Sequence, residues 1–90
     1  MKQPPQEKVL EEVAPGLFRV KAAMSLGDFN ELMGLSLPAE EFDTIGGLVL
    51  NLFGALPREG SEVGYDGLTF KVRRMKGTRI LELEMRRVGP

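Results

Sequence analysis

Val63-Gly64-Tyr65-Asp66-Gly67-Leu68-Thr69-Phe70-Lys71-Val72 holds two alternating apolar runs with Asp-Gly between them. A two-residue type I′ turn needs positive φ at both central residues, which Asp-Gly tolerates well, so the stretch reads as a β-hairpin. Pairing Tyr65 with Leu68 sets Val63 opposite Phe70. All four side chains then lie on one face, because strand side chains alternate with period two. That face is the core side of a sheet.

Working downstream, a second hairpin is expected with Arg74 paired to Arg79 across the loop Met75-Lys76-Gly77-Thr78. This register sets Val72 against Leu81, Phe70 against Leu83 and Leu68 against Met85 on the buried face. On the other face Lys71 meets Glu82, with Arg73 and Glu84 as diagonal neighbours. Upstream, Ser25 precedes Leu26-Gly27-Asp28 in a spacing close to a capping box. Leu26, Phe29, Leu32 and Met33 form one stripe that Gly34 ends, which predicts a helix over 26–33. Asp43 is the predicted N-cap of a second helix, in which Ile45, Leu48, Val49, Leu52 and Phe53 follow the i, i+3, i+4, i+7 pattern before Gly54 and Pro57. Leu50 widens that stripe, so the helix is expected to be covered on more than one side. Phe18, Val20 and Ala22 alternate as a strand feeding the first helix, and Val9, Glu11 and Val13 suggest another before Ala14-Pro15-Gly16. The expected fold is therefore α+β, a mainly antiparallel sheet of four to five strands with two short helices packed on one face.

With 90 residues, 42% of them hydrophobic and 28% charged, the chain is expected to form one small domain with a single core. There is no Cys and no His, which removes disulfides, the usual zinc ligands and the His-dependent nucleophile systems. Lack of Cys agrees with a reducing, cytosolic setting. The longest apolar stretch, Ile45 to Leu56, includes three glycines and Asn51 and is well short of the twenty or so residues of a membrane helix. Residues 1–8 are polar and carry no apolar signal core, so they read as a linker. Residues 1–66 carry a net charge of −6 and residues 67–90 one of +5. The basic end is expected to be a solvated sheet face largely neutralised by its neighbouring strand. A nucleic-acid site would want aromatics among the cations, and the outer face has none.

Two clusters are candidates for ligand chemistry. Glu40, Glu41 and Asp43 form the one dense acidic group and could supply oxygen ligands to a divalent cation, although their spacing fits no EF-hand. The plainer reading makes Asp43 a cap and the glutamates a solvated turn. Gly46-Gly47 lies in the first turn of the second helix, where free backbone N–H groups could receive an anion, a nucleotide or FAD. The segment before it is acidic and unlike a strand, and neither G-x-G-x-x-G nor a P-loop is present. Close packing of helix on sheet accounts for the two glycines more simply. Leu50, Leu52 and Phe53 are the interface candidates, Leu50 above all, since the remaining apolar positions of this helix are needed by the core.

Leu37-Pro38-Ala39-Glu40-Glu41-Phe42-Asp43-Thr44-Ile45-Gly46-Gly47-Leu48-Val49, continued by Gly54, Pro57, Gly60 and Tyr65-Asp66-Gly67-Leu68-Thr69-Phe70, closely resembles the CorC/HlyC-type transporter-associated domain over residues 9 to 88. The resemblance implies a non-catalytic accessory or regulatory module of magnesium and cobalt efflux or hemolysin-like membrane proteins. Such a module is expected on the cytosolic side, after a pair of CBS domains. Its partners would be those CBS and membrane domains, contacted through packing, with a homodimer also compatible; no cofactor, nucleic acid or direct membrane insertion is expected. The family's fold is similar to part of a flavin-binding superfamily, which keeps FAD beside a divalent cation as the alternative ligand. This chain departs from the family in Lys21-Ala22-Ala23-Met24, where a glycine and a proline are often found, so a different turn is expected there.

Overall fold

The computed structural model describes residues 9–87; the expected linker at 1–8 lies outside the described residues. Strands β1 (Leu10–Ala14) and β2 (Leu17–Lys21) are followed by helices α1 (Leu26–Met33) and α2 (Ile45–Phe53) and by strands β3 (Glu62–Tyr65), β4 (Leu68–Lys76) and β5 (Arg79–Arg87). The five strands form one antiparallel sheet in the order β1-β2-β5-β4-β3. The α1–α2 segment thus carries the chain from β2 to the far edge. One face of the sheet supplies Val20, Phe70, Val72, Leu83 and Met85 to the core, and the helices supply Leu26, Phe29, Ile45, Leu48 and Val49. This is the expected α+β architecture.

The first hairpin matches its sequence reading. Tyr65 pairs with Leu68 and Val63 with Phe70, and the turn residues have positive φ, +53° at Asp66 and +80° at Gly67. Helix α1 is capped by the Ser25 hydroxyl, which accepts the Asp28 N–H at 3.2 Å, and ends at left-handed Gly34.

The second hairpin differs from its sequence reading. Lys76 pairs with Arg79, leaving Gly77-Thr78 as a two-residue loop, with Gly77 at φ +61°. Val72 therefore opposes Leu83, Phe70 opposes Met85 and Leu68 opposes Arg87. A shift of two residues keeps each of these side chains on its original face. Irregularities at Val72/Arg74 and Arg74/Met75 then break the alternation, so that Ile80 is buried while Leu81 is only half-buried. Leu81 was expected opposite Val72 in the core; Leu83 takes that place, and Leu81 is left unpaired in this ladder between Ile80, which opposes Met75, and Glu82, which opposes Arg74.

The long connection between the helices is held by one side chain. Asn30 Nδ2 donates to the Leu37 carbonyl and its Oδ1 accepts the Leu37 N–H, both at 2.9 Å. This clamp seats Leu37 in the core at 4% exposure and lets the following turn lead into α2.

Candidate functional site

The start of α2 can be judged donor by donor. Its N-cap is Thr44, whose Oγ1 accepts the Gly47 N–H at 3.0 Å. Asp43, the cap expected from sequence, instead uses its carbonyl to accept the Leu26 N–H at 2.9 Å. Ser25 and Thr44, the caps of the two helices, form an isolated antiparallel bridge. Asp43 is thereby committed to the backbone pairing, and the next residue falls where a cap must be. The Ile45 N–H donates to the Met24 carbonyl at 3.0 Å, the Gly46 N–H to the Ala22 carbonyl at 2.9 Å and the Leu48 N–H to the Thr44 carbonyl at 3.2 Å. The first four amides of the helix, those that an anion would use, all have acceptors within the chain.

The two glycines have different reasons. A Cβ on Gly46 would stand 2.7 Å from the Ala22 Cβ and 2.8 Å from the Ala22 carbonyl oxygen. The helix meets the turn that follows β2 at close backbone approach here, which only glycine permits. A Cβ on Gly47 would meet the Thr44 Oγ1 at 3.3 Å and no backbone. The Lys21-Ala22-Ala23-Met24 segment closes through a Met24 N–H to Lys21 carbonyl bond of 3.0 Å, and its Ala22 is the surface on which Gly46 rests.

Glu40, Glu41 and Asp43 are exposed. Among the described residues no three carboxylates gather in a way that could hold a metal ion. The described carboxylates thus form no convergent set, and the amides at the start of α2 are bonded within the chain. Of the interface candidates, Leu50 is 37% exposed, whereas Leu52 and Phe53 are half-buried against the core. Leu50 lines a depression of about 270 Å³ between α2 and the β4–β5 turn, together with Gly46, Gly47, Thr78 and Arg79.

On the opposite face of the sheet lies Glu82, whose burial the sequence reading missed. It is only 8% exposed, with Arg73 Nε 3.4 Å from its Oε1 and Arg19 Nε 3.9 Å from its Oε2. Lys71, expected opposite Glu82, faces Glu84 instead, and Arg74 takes the place opposite Glu82. The basic strand is still balanced by its neighbour, with different partners. The irregular pairing that causes this leaves no mark in the alternation of residue types. Beside it, Leu17, Glu62, Thr69, Lys71, Glu84 and Arg86 line a shallow depression of about 180 Å³ in which acids and bases alternate.

The family model of the transporter associated domain, CorC_HlyC, matches residues 11–89. The chain belongs to the CorC/HlyC transporter-associated domains. It is 36% identical over 80 residues to the magnesium and cobalt efflux protein CorC of Vibrio cholerae, covering 89% of this chain and 28% of that protein. With CorC of Escherichia coli K12 the identity is 43% over 67 residues, 74% of this chain and 23% of the relative. The transporter-associated domain thus spans about a quarter of the length of these relatives. Among solved structures, the CorC-associated region from Neisseria meningitidis MC58 is 37% identical with a TM-score of 0.83, covering 90% of this chain and all of that one. A transporter-associated domain of a Xylella fastidiosa hemolysin, solved in complex with Mg²⁺ and Mn²⁺, shares the fold at 20% identity and a TM-score of 0.78, covering 91% of this chain. No helix among the described residues is long and apolar enough to cross a membrane.

Proposed function

We propose that this transporter-associated domain is a contact module of a CorC-type magnesium and cobalt efflux protein, regulating transport through surfaces packed against its neighbours. The observation that carries this reading is the closed start of α2: the turn best suited to an anion spends its donors on Met24, Ala22 and Thr44 within the fold. The acidic turn likewise offers no convergent ligand set. Its surface leaves Leu32, Leu50 and Leu56 exposed at 66%, 37% and 58%, apolar area of the kind that contacts use. On this reading the neighbours are the CBS and membrane domains that the family resemblance implies, on the cytosolic side, and the domain itself does no chemistry.

The test replaces the matching segment of Vibrio cholerae CorC with this chain and measures cobalt tolerance in cells. The chimera is expected to retain tolerance, and removal of the segment to reduce it. Leu50→Asp in the chimera should reduce tolerance while leaving protein abundance unchanged. Full tolerance without the segment would refute the reading.

A further inference from the structure

Charges on the uncovered face of the sheet alternate from strand to strand. Glu11 pairs with Arg19, Arg19 with Glu84, Glu84 with Lys71 and Lys71 with Glu62, one row across all five strands. Lys21 likewise pairs with Glu82, and Glu82 with Arg74. Opposite charges in register stabilise a ladder, and like charges directly opposite destabilise it. The alternation breaks at the β4–β5 turn, where Lys76 stands opposite Arg79. Both are exposed, and neither takes part in an ion pair among the described residues. Two acids along these strands are engaged elsewhere, Glu82 by Arg73 and Arg19, and Glu59 by the Met75 N–H.

Beside this turn lie two adjoining depressions. The first, of about 270 Å³, is lined by the small residues Ala22, Ala23, Gly46 and Gly47, and Arg79 is the one charged residue that borders it. The second, of about 400 Å³, is lined by Gly54, Ala55 and Leu56 and by no charged residue. The two share Leu50 and Thr78, so they form one apolar groove with the cationic turn along its wall. Leu50 and Leu56 are both exposed. The cation toward the other end of β5 is placed differently, since Arg86 lines a depression that also holds Glu62 and Glu84.

Apolar recesses take a partner's apolar side chains, and unpaired cations beside them select acids. We propose that this groove docks a short acidic segment of a neighbouring domain, with apolar anchors in the two depressions and carboxylates against Lys76 and Arg79. An acid supplied from outside also relieves the like-charge contact across the turn, so the turn is unbalanced when free and balanced when occupied. An anionic lipid surface fits less well, because a membrane takes up apolar side chains that project into it, whereas the apolar residues here line recesses. The proposal rests on the contact reading above and names the chemistry of one contact.

The test selects binders of the 90-residue chain from a phage library of random short peptides and measures the selected peptides by fluorescence anisotropy. The enriched peptides should carry an excess of Asp and Glu around Leu, Ile or Phe. Lys76→Glu and Arg79→Glu should each weaken their binding about fivefold and Leu50→Asp at least as much, whereas Arg86→Glu should leave it unchanged. All four positions are exposed, so circular dichroism should stay that of the parent chain. Either reversal at the turn replaces a like-charge pair by an opposite one, so its melting temperature should not fall. A selection without enrichment, enriched peptides without an acidic excess, or equal weakening by Arg86→Glu would overturn the proposal. So would co-sedimentation of the chain with phosphatidylserine vesicles that Arg79→Glu abolishes, which would assign the groove to lipid. In the CorC chimera, Arg79→Glu should reduce cobalt tolerance as Leu50→Asp does. Loss in Leu50→Asp alone would overturn the acidic partner and leave the contact reading standing, whereas full tolerance without the segment would refute that reading and the proposal with it.

Discussion

At Gly46 two opposing terms can be compared directly. Alanine in a helix interior is favoured over glycine by about 1 kcal/mol. Against that, the added methyl would stand 2.7 Å from the Ala22 Cβ and 2.8 Å from its carbonyl oxygen, and the latter is backbone that cannot swing aside. Overpacking of this kind costs about 1–3 kcal/mol, and moving Ala22 would also lengthen the Gly46 N–H to Ala22 carbonyl bond, now 2.9 Å. Gly46→Ala is therefore expected to be destabilising by about 1–2 kcal/mol net, which lowers the melting temperature by about 4–16 °C in a domain of this size. Gly47→Ala meets only the Thr44 Oγ1, at 3.3 Å, and should be neutral within about 0.5 kcal/mol. Urea titration of the two variants checks the contrast; equal effects would show that α2 can slide on β2. The sequence reading assigned one packing role to both glycines, whereas the structure gives it to Gly46 alone. That distinction depends on which glycine faces β2, and a pair of identical residues cannot reveal it.

At the scale of elements, the features set by local chemistry were legible. The Asp66-Gly67 turn, the Ser25 cap and the left-handed stops at Gly34 and Gly54 lie where turn and cap preferences put them. What failed to read through were features set by contacts distant in sequence. The cap of α2 moved from Asp43 to Thr44 because Asp43 also pairs with the start of α1. The β4–β5 register moved by two because strict alternation fits either loop length equally well, and only the rest of the sheet decides between them. The irregular stretch of β4 lies beyond the end of β3, where an open strand edge would invite pairing with another chain. The Pro57–Ser61 turn covers it: the Gly60 N–H donates to the Val72 carbonyl at 2.7 Å, the Val72 N–H to the Ser61 carbonyl at 2.9 Å, and the Met75 N–H to Glu59 Oε2 at 3.0 Å. Removing the Glu59 carboxylate frees one donor and leaves the backbone pair. Glu59→Ala should thus speed amide exchange at Met75 about fivefold while Val72 stays protected, as expected for an exposed bond of about 1 kcal/mol. Hydrogen exchange followed by NMR checks it, and equal acceleration at both amides would mean that Glu59 holds the whole turn rather than one bond.

At the scale of the whole molecule, the set of exposed apolar side chains is the part least visible in the sequence. Leu50 could be singled out from helical periodicity, but Val9, Leu32 and Leu56 join it only through folding. Ligand binding is a property of the same scale, because any site that binds the folded chain alone raises its melting temperature. A ligand present at a hundred times its Kd adds about 2.7 kcal/mol, which for a domain of this size means about 10–20 °C. The donors at α2 are bonded within the chain and the described carboxylates do not converge, so millimolar Mg²⁺ or micromolar FAD should leave the melting curve where EDTA leaves it. Calorimetry at fixed protein concentration measures this, and the concentration must be held constant because a dimer also melts higher as it is concentrated. A rise of several degrees with Mg²⁺ that EDTA reverses would require a cation site formed by rearrangement of the Glu40–Asp43 turn. The packing reading would then give way to one in which the domain senses the ion its relatives export. A flat curve, with the expected loss of association in Leu50→Asp, would place the information this module carries in the surfaces it presents to other protein.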